Sequence, residues 1–390
     1  MDPLTRYGTA TCKYFSAQEC RSCSLLDLPG EARIRSKEES LSSLLSAFNV
    51  VPLRSESLRI PADPWGSRCK VKASVTGTTE TPIVGIVRSD LTSVDLTHCP
   101  LTPPHIVGLI TTVKELLKEI GLSPYDVVKR TGELKNLIVL SNQDASEGIL
   151  RFVLRSREGV PRIRKQVPRI QSRHPWLKVV SCNIQPIPAA ILEGPDEEIL
   201  TPTITINVRY NHIDLSFHPQ AFMQVTHEIA EALYLRAANY VSGRSFAHAL
   251  DLYCGVGGFS LSLGPSVQKI TGVEVSPMAI ESAKRSALRL GNDRAEFYAD
   301  DVEQFLSTAL SFRPDLVIVN PPRRGLSETI RATILEIAPE VILYSSCSPE
   351  TFARDIAHLS RDYTLKELAP FDMFPMTAHI EVLGFLERTK

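Results

Sequence analysis

Asp251-Leu252-Tyr253-Cys254-Gly255-Val256-Gly257-Gly258 decides how this chain folds. An apolar run at 248–253 leads directly into glycines, where backbone can turn tightly and start a helix without steric conflict. Outward from it, apolar strand-like runs recur at 269–274, 295–299, 315–319, 340–345, 364–369 and 379–387. Helical patterns fill 277–290, 301–310, 327–337 and 349–360. Strands alternating with helices specify an α/β, doubly wound parallel sheet. A loop joins the last two runs, so the sheet is expected to end in an antiparallel pair.

The first half is less regular. Strand-like Val71-Lys72-Ala73-Ser74-Val75, Leu137-Ile138-Val139-Leu140 and Val179-Val180-Ser181-Cys182-Asn183-Ile184 mix with helical patterns at 37–48, 104–120 and 161–173. At 390 residues the chain exceeds one typical core. Two units are expected: an α+β unit over 1–205 and the doubly wound unit over 206–390. The turn-rich Glu193-Gly194-Pro195-Asp196-Glu197-Glu198 marks the neighbourhood of the boundary.

Met1-Asp2-Pro3-Leu4-Thr5-Arg6-Tyr7 lacks the basic, then apolar, run of an export signal, and no apolar stretch is long enough to span a membrane. A cytoplasmic location is expected. The net charge of −1 hides an asymmetry: residues 151–178 hold nine Lys or Arg and one acid. Such a run is either a solvated helix face or a phosphate-binding surface. Further basic groups at Arg68, Lys70 and Lys72, and at Lys129, Arg130 and Lys135, favour the second and imply a nucleic-acid partner. Three of the eight cysteines fall between Cys12 and Cys23. In a cytosolic chain this suggests a metal or cluster site more than a disulfide framework.

Strand ends carry the polar groups. Glu274 ends the second strand of the doubly wound unit, where a carboxylate can accept from a ribose diol. Asp301 follows the third, within reach of an adenine edge, and Asn320 follows the fourth in Asn320-Pro321-Pro322-Arg323-Arg324-Gly325. With the glycine turn at Gly255 and Gly257, they form a rim suited to an adenosyl methyl donor, while such a turn by itself also serves dinucleotides and phosphates. Any one acid among them could instead cap a helix.

Tyr344-Ser345-Ser346-Cys347-Ser348-Pro349 puts a thiol after the fifth strand, and His379-Ile380-Glu381 puts an acid in the apolar last one. Buried cysteines are common small core residues. A glutamate in an apolar strand is rarer, because burying it unpaired is costly. Together these groups suit methylation of a pyrimidine carbon. Carbon 5 of uracil is too weak a nucleophile until a thiolate adds to carbon 6, and a base must then remove the carbon-5 proton. Arg323 after Asn-Pro-Pro offers no aromatic platform for amino methylation. Cysteine is absent from that motif, which disfavours cytosine.

These motifs, with Phe371-Asp372-Met373-Phe374-Pro375 and Pro219-Gln220-Ala221-Phe222-Met223-Gln224, resemble the RNA uracil-5-methyltransferase family. The resemblance implies S-adenosylmethionine as donor, bound by Gln224, Tyr253, Glu274 and Asn320, with Cys347 as nucleophile and Glu381 as base. Tyr253 stands where phenylalanine is also common, and Met376 replaces a residue that is often polar. Cys12, Cys20, Cys23 and Cys99 match the spacing by which the family's 23S ribosomal RNA branch is thought to hold a 4Fe–4S cluster. Spacing alone suits zinc equally, and Cys69 and His98 stand outside the set. The implied partner is RNA, with 23S ribosomal RNA favoured; no membrane or protein partner is implied. Rival readings are the same chemistry on tRNA and a non-catalytic RNA-binding or assembly protein that keeps the fold.

Overall fold

A computed structural model describes residues 12–188, 191–308 and 312–389. The opening Met1-Asp2-Pro3-Leu4-Thr5-Arg6-Tyr7 lies outside them, as do the last residues of the helical pattern at 301–310.

The seven strands expected in the second half form one sheet, extended to eight by Arg54–Ser55. Across it run Ala295–Ala299, Val267–Glu274, Phe246–Leu252, Leu316–Val319, Val341–Ser346, Glu381–Arg388, Tyr363–Phe371 and Arg54–Ser55. The first five are parallel, whereas Glu381–Arg388 is antiparallel to both neighbours. It enters through a loop instead of a crossover helix, which permits that direction. The central Leu316–Val319 is wholly buried, as expected for a strand covered on both faces. Helices Pro277–Arg289 and Pro349–Leu359 begin at Ser276 and Ser348, whose side chains accept from the backbone N–H of Ala279 and Thr351. Proline in the first helical turn lacks only a donor that has no helical partner there. Ser348-Pro349 therefore ends the strand stretch just past Cys347 and launches the next helix.

The central region forms a seven-stranded sheet, in the order Ser93–Asp95, Pro82–Val87, Lys70–Gly77, Leu134–Ser141, Gly148–Leu154, Leu177–Ile184, Asp196–Ile199. Apolar residues of helices Pro104–Glu119 and Val160–Arg173 close its core. Helix Gly30–Ala47 and strand Arg54–Ser55 precede this region in sequence but lie on the doubly wound unit. Leu41 and Leu45 share a core with Phe352 and Ile356, and Arg54–Ser55 pairs with Tyr363–Phe371.

Most of the basic run at 151–178 is paired with acids. Arg151 is buried between Glu193 and Glu197, and Arg157 and Arg164 each reach Glu198 at 2.6 Å. Arg162 pairs with Glu158 at 2.6 Å, Arg173 with Glu115 at 3.0 Å and Arg169 with Glu119. Acids from 115–119 and 193–198 fold onto the run and neutralise most of it. Among the described residues, no helix is long and apolar enough to cross a membrane.

Candidate active site

Tyr253, Glu274, Asp301 and Asn320 follow or end four adjacent strands at one edge of the doubly wound sheet. Tyr253 adopts φ 64°, and Gly255 and Gly257 adopt 54° and 82°. This left-handed backbone is natural for glycine but strained for tyrosine, which marks the turn as held by its surroundings. A Cβ built on Gly255 would meet no atom within 4 Å, so open space faces it. Burial raises the Tyr253 hydroxyl to about 12 against the opposing charge of Arg324. Glu274 accepts from Ser276 N at 3.0 Å. Asp301 accepts from Glu303 N and Gln304 N at 2.9 and 3.2 Å, and so does cap a helix. Gln224 is buried, in a segment whose Ala221 and Met223 join one core with Cys254, Val256 and Phe259 of the glycine turn. Open space at Gly255 beside strand-end acids fits a donor whose adenosyl part spans the rim.

Cys347 and Glu381 come together on the same edge. The ladder pairs Ser345 with Leu383 and Ser346 with Val382, and one further step sets Cys347 opposite Glu381. Ser345 Oγ donates to Glu381 Oε1 at 2.8 Å. Burial, then the charge of Glu381, raises the Cys347 thiol above its ordinary 9.0, while Arg323 lowers it through charge and a hydrogen bond. Arg323 is thus the cation beside Cys347 that opposes this rise, and it follows Asn320-Pro321-Pro322 in the motif. Cys347, Arg323, His379 and Lys37 line a cavity of about 320 Å³.

Burial raises the Glu381 carboxyl from its ordinary 4.5 to about 7, opposed only by the Ser345 hydrogen bond. Between those values the folded state keeps a proton that the unfolded chain has lost, so stability falls as pH rises through the window. E381Q is expected to flatten that slope by roughly 3 kcal/mol, read by chemical denaturation across pH. Buried Asp251, raised from 3.8 to about 7, supplies a similar slope that the variant retains.

Cys12, Cys23 and Cys99 pack around Leu26, Leu101 and Met376. Burial raises the Cys23 thiol to about 11 and also raises Cys99; both feel Cys12, Cys20 and Arg68. The four thiols lie in one another's electrostatic field. Among the described residues, however, no three metal-ligating side chains close around a common centre. Cys69 is buried elsewhere, with its thiol donating to Gln224 O at 3.1 Å.

The doubly wound sheet, its open glycine turn and its strand-end acids define a donor-dependent methyltransferase. The family model for tRNA (Uracil-5-)-methyltransferase matches residues 301–389, and that for the methyltransferase small domain matches 214–343. A 23S rRNA (uracil(747)-C(5))-methyltransferase from Shewanella baltica is 39% identical over 379 residues, 96% of each chain. Its counterpart from Pectobacterium atrosepticum is 39% identical over 380 residues, 97% of this chain and 99% of that one. At that identity over nearly its whole length, the chain belongs to the RNA uracil-5-methyltransferase family. The tRNA (uracil-54, C5)-methyltransferase of Pyrococcus abyssi, solved with S-adenosyl-L-homocysteine, shares the fold. It is 24% identical, with a TM-score of 0.76, over 93% of this chain and 85% of that one.

Proposed function

We propose that this protein methylates carbon 5 of a uridine in 23S ribosomal RNA through a transient bond between Cys347 and carbon 6 of the base. The observation that carries this reading is the meeting of Cys347 and Glu381 at one strand end, with Cys347 and Arg323 lining the same cavity. S-adenosylmethionine, held by Gln224, Tyr253, Gly255, Gly257, Glu274, Asp301 and Asn320, supplies an electrophilic methyl group. Arg323 favours the Cys347 thiolate, which adds to carbon 6 and makes carbon 5 nucleophilic. After methyl transfer, Glu381 takes the carbon-5 proton, the double bond re-forms and the thiolate leaves. A carboxyl group that loses its proton near neutral pH is poised for that step.

The target uridine must leave its stack to reach the cavity, as ring-modifying chemistry requires. Arg324 beside Tyr253 and Arg323 beside Cys347 bracket the path and are placed to hold the extruded nucleotide's phosphate. The 23S target follows the names of the relatives. Cys12, Cys20, Cys23 and Cys99 would hold a 4Fe–4S cluster, the packing of Cys12, Cys23 and Cys99 on one small core supporting the assignment over scattered structural thiols. The division at about residue 205 would be a functional one, with the first unit serving RNA. The test is to map 5-methyluridine in ribosomal and transfer RNA with and without the gene. Loss of one 23S site is expected; loss from tRNA alone would overturn the target, and no loss would overturn the activity.

A further inference from the structure

We propose that Lys37 is a positioning residue for removal of the carbon-5 proton, holding the loop that delivers Glu381 in register with Cys347. This rests on the roles given above to those two residues.

Lys37 lies on helix Gly30–Ala47, far from the catalytic motifs in sequence. Its ammonium donates to Asp372 Oδ1 at 2.5 Å and to the carbonyl oxygens of Phe374 and His379, each at 3.1 Å. All three protons are thereby used on one loop, which leaves strand Tyr363–Phe371 and returns as Glu381. The ion pair is almost completely buried, with side-chain exposures of 1% and 2%. A buried ion pair is a poor source of net stability, since desolvation offsets most of its attraction; its strength lies in fixed geometry. Here the geometry ties both ends of the loop to one point. Asp372 is its first residue, and His379 is two before Glu381.

The loop has other holds. At its start, Asp372 N donates to Arg59 O at 2.8 Å and Thr226 Oγ1 to Met373 O at 3.0 Å. In its middle, Leu25 N donates to Met376 O at 3.1 Å and Ala378 N to Ser24 Oγ at 3.2 Å. The bond from Lys37 to His379 O is the hold nearest Glu381 from outside the loop. Lys37 also lines the cavity beside Cys347, facing a wall made by Ala378, His379 and Ile380. Cys347 is fixed by strand Val341–Ser346 and by the Ser348 cap that follows. Glu381, though paired with Phe371 and bonded to Ser345, is instead the first residue of its strand and directly follows the loop. Loss of Lys37 should therefore displace the base more than the nucleophile. A displacement near 1 Å slows a reaction by about 10²-fold.

The test uses the full chain, S-adenosylmethionine and two substrate RNAs, one with uridine and one with 5-fluorouridine at the target. Fluorine cannot be removed as a proton, so the second RNA reports thiolate addition and methyl transfer without the base step. K37M is expected to form the fluorouridine adduct at close to the unsubstituted rate. On uridine RNA it should accumulate covalent adduct, with turnover down about 10²-fold. Unchanged turnover, or equal slowing of addition and release, would overturn the proposal. Should K37M fail to fold, K37R decides: it keeps the charge but presents a planar fork to acceptors arranged for a tripod. Release slowed more than addition supports the proposal, and equal slowing overturns it. E381Q run alongside separates the two claims. Adduct trapped by E381Q but not by the Lys37 variants overturns the role of Lys37 alone, whereas none in any variant overturns the base assignment beneath it.

Discussion

C347A is expected to bind S-adenosylmethionine normally and to form no covalent complex with RNA. Its turnover should fall by at least about 10⁴-fold, because no other group in the cavity can open the carbon-5 position to attack. Arg323 cannot substitute, since a guanidinium stays protonated and is no nucleophile. Donor binding should persist because Tyr253, Glu274 and Asn320 sit at the ends of other strands, each held by its own ladder. Cys347 is only part-buried, so the variant should stay within about 1 kcal/mol of the unsubstituted protein. Isothermal titration with the donor and a denaturing gel with labelled RNA read the two halves of this expectation. Release of tritium from carbon-5-labelled uridine at an undiminished rate would refute the nucleophile assignment.

E381Q should behave in the opposite way, forming the adduct and keeping it. Glutamine preserves the length of the side chain and an oxygen for the Ser345 hydroxyl, now 2.8 Å from Glu381. It cannot accept the carbon-5 proton, so the methylated adduct has no route to product. Loss of a positioned base slows turnover by about 10² to 10⁴-fold. The gel should therefore show a protein–RNA band that grows with time and survives denaturation. A variant that turns over rapidly and shows no band would remove Glu381 from the mechanism.

The doubly wound unit was legible because its signals are local. Leu316-Val317-Ile318-Val319 is rich in β-branched residues and uniformly buried, and Ser276-Pro277 and Ser348-Pro349 announce helix starts at strand ends. The segment that follows the central sheet was legible but unread. Ile206-Asn207-Val208-Arg209-Tyr210 and Ile213-Asp214-Leu215-Ser216-Phe217 alternate about the two-residue turn Asn211-His212, a hairpin pattern that the structure realises. Other features depend on partners remote in sequence. The basic helix Val160–Arg173 reads as a cationic stripe because Glu115, Glu119 and Glu198, which neutralise it, lie outside any local window. Lys37 was hidden for the same reason: its value comes from three acceptors more than 300 residues away. The site motifs named Cys347 and Glu381, but only the ladder between Val341–Ser346 and Glu381–Arg388 sets them side by side.

The most direct measurement is to find which atom of the protein bonds to the base. RNA carrying 5-fluorouridine at the target should be incubated with the protein and S-adenosylmethionine, digested, and the modified peptide sequenced by mass spectrometry. The predicted result is a methylated fluorouridine adduct on the sulfur of Cys347. An adduct on any other residue, or methyl transfer to RNA with no adduct at all, would contradict the account.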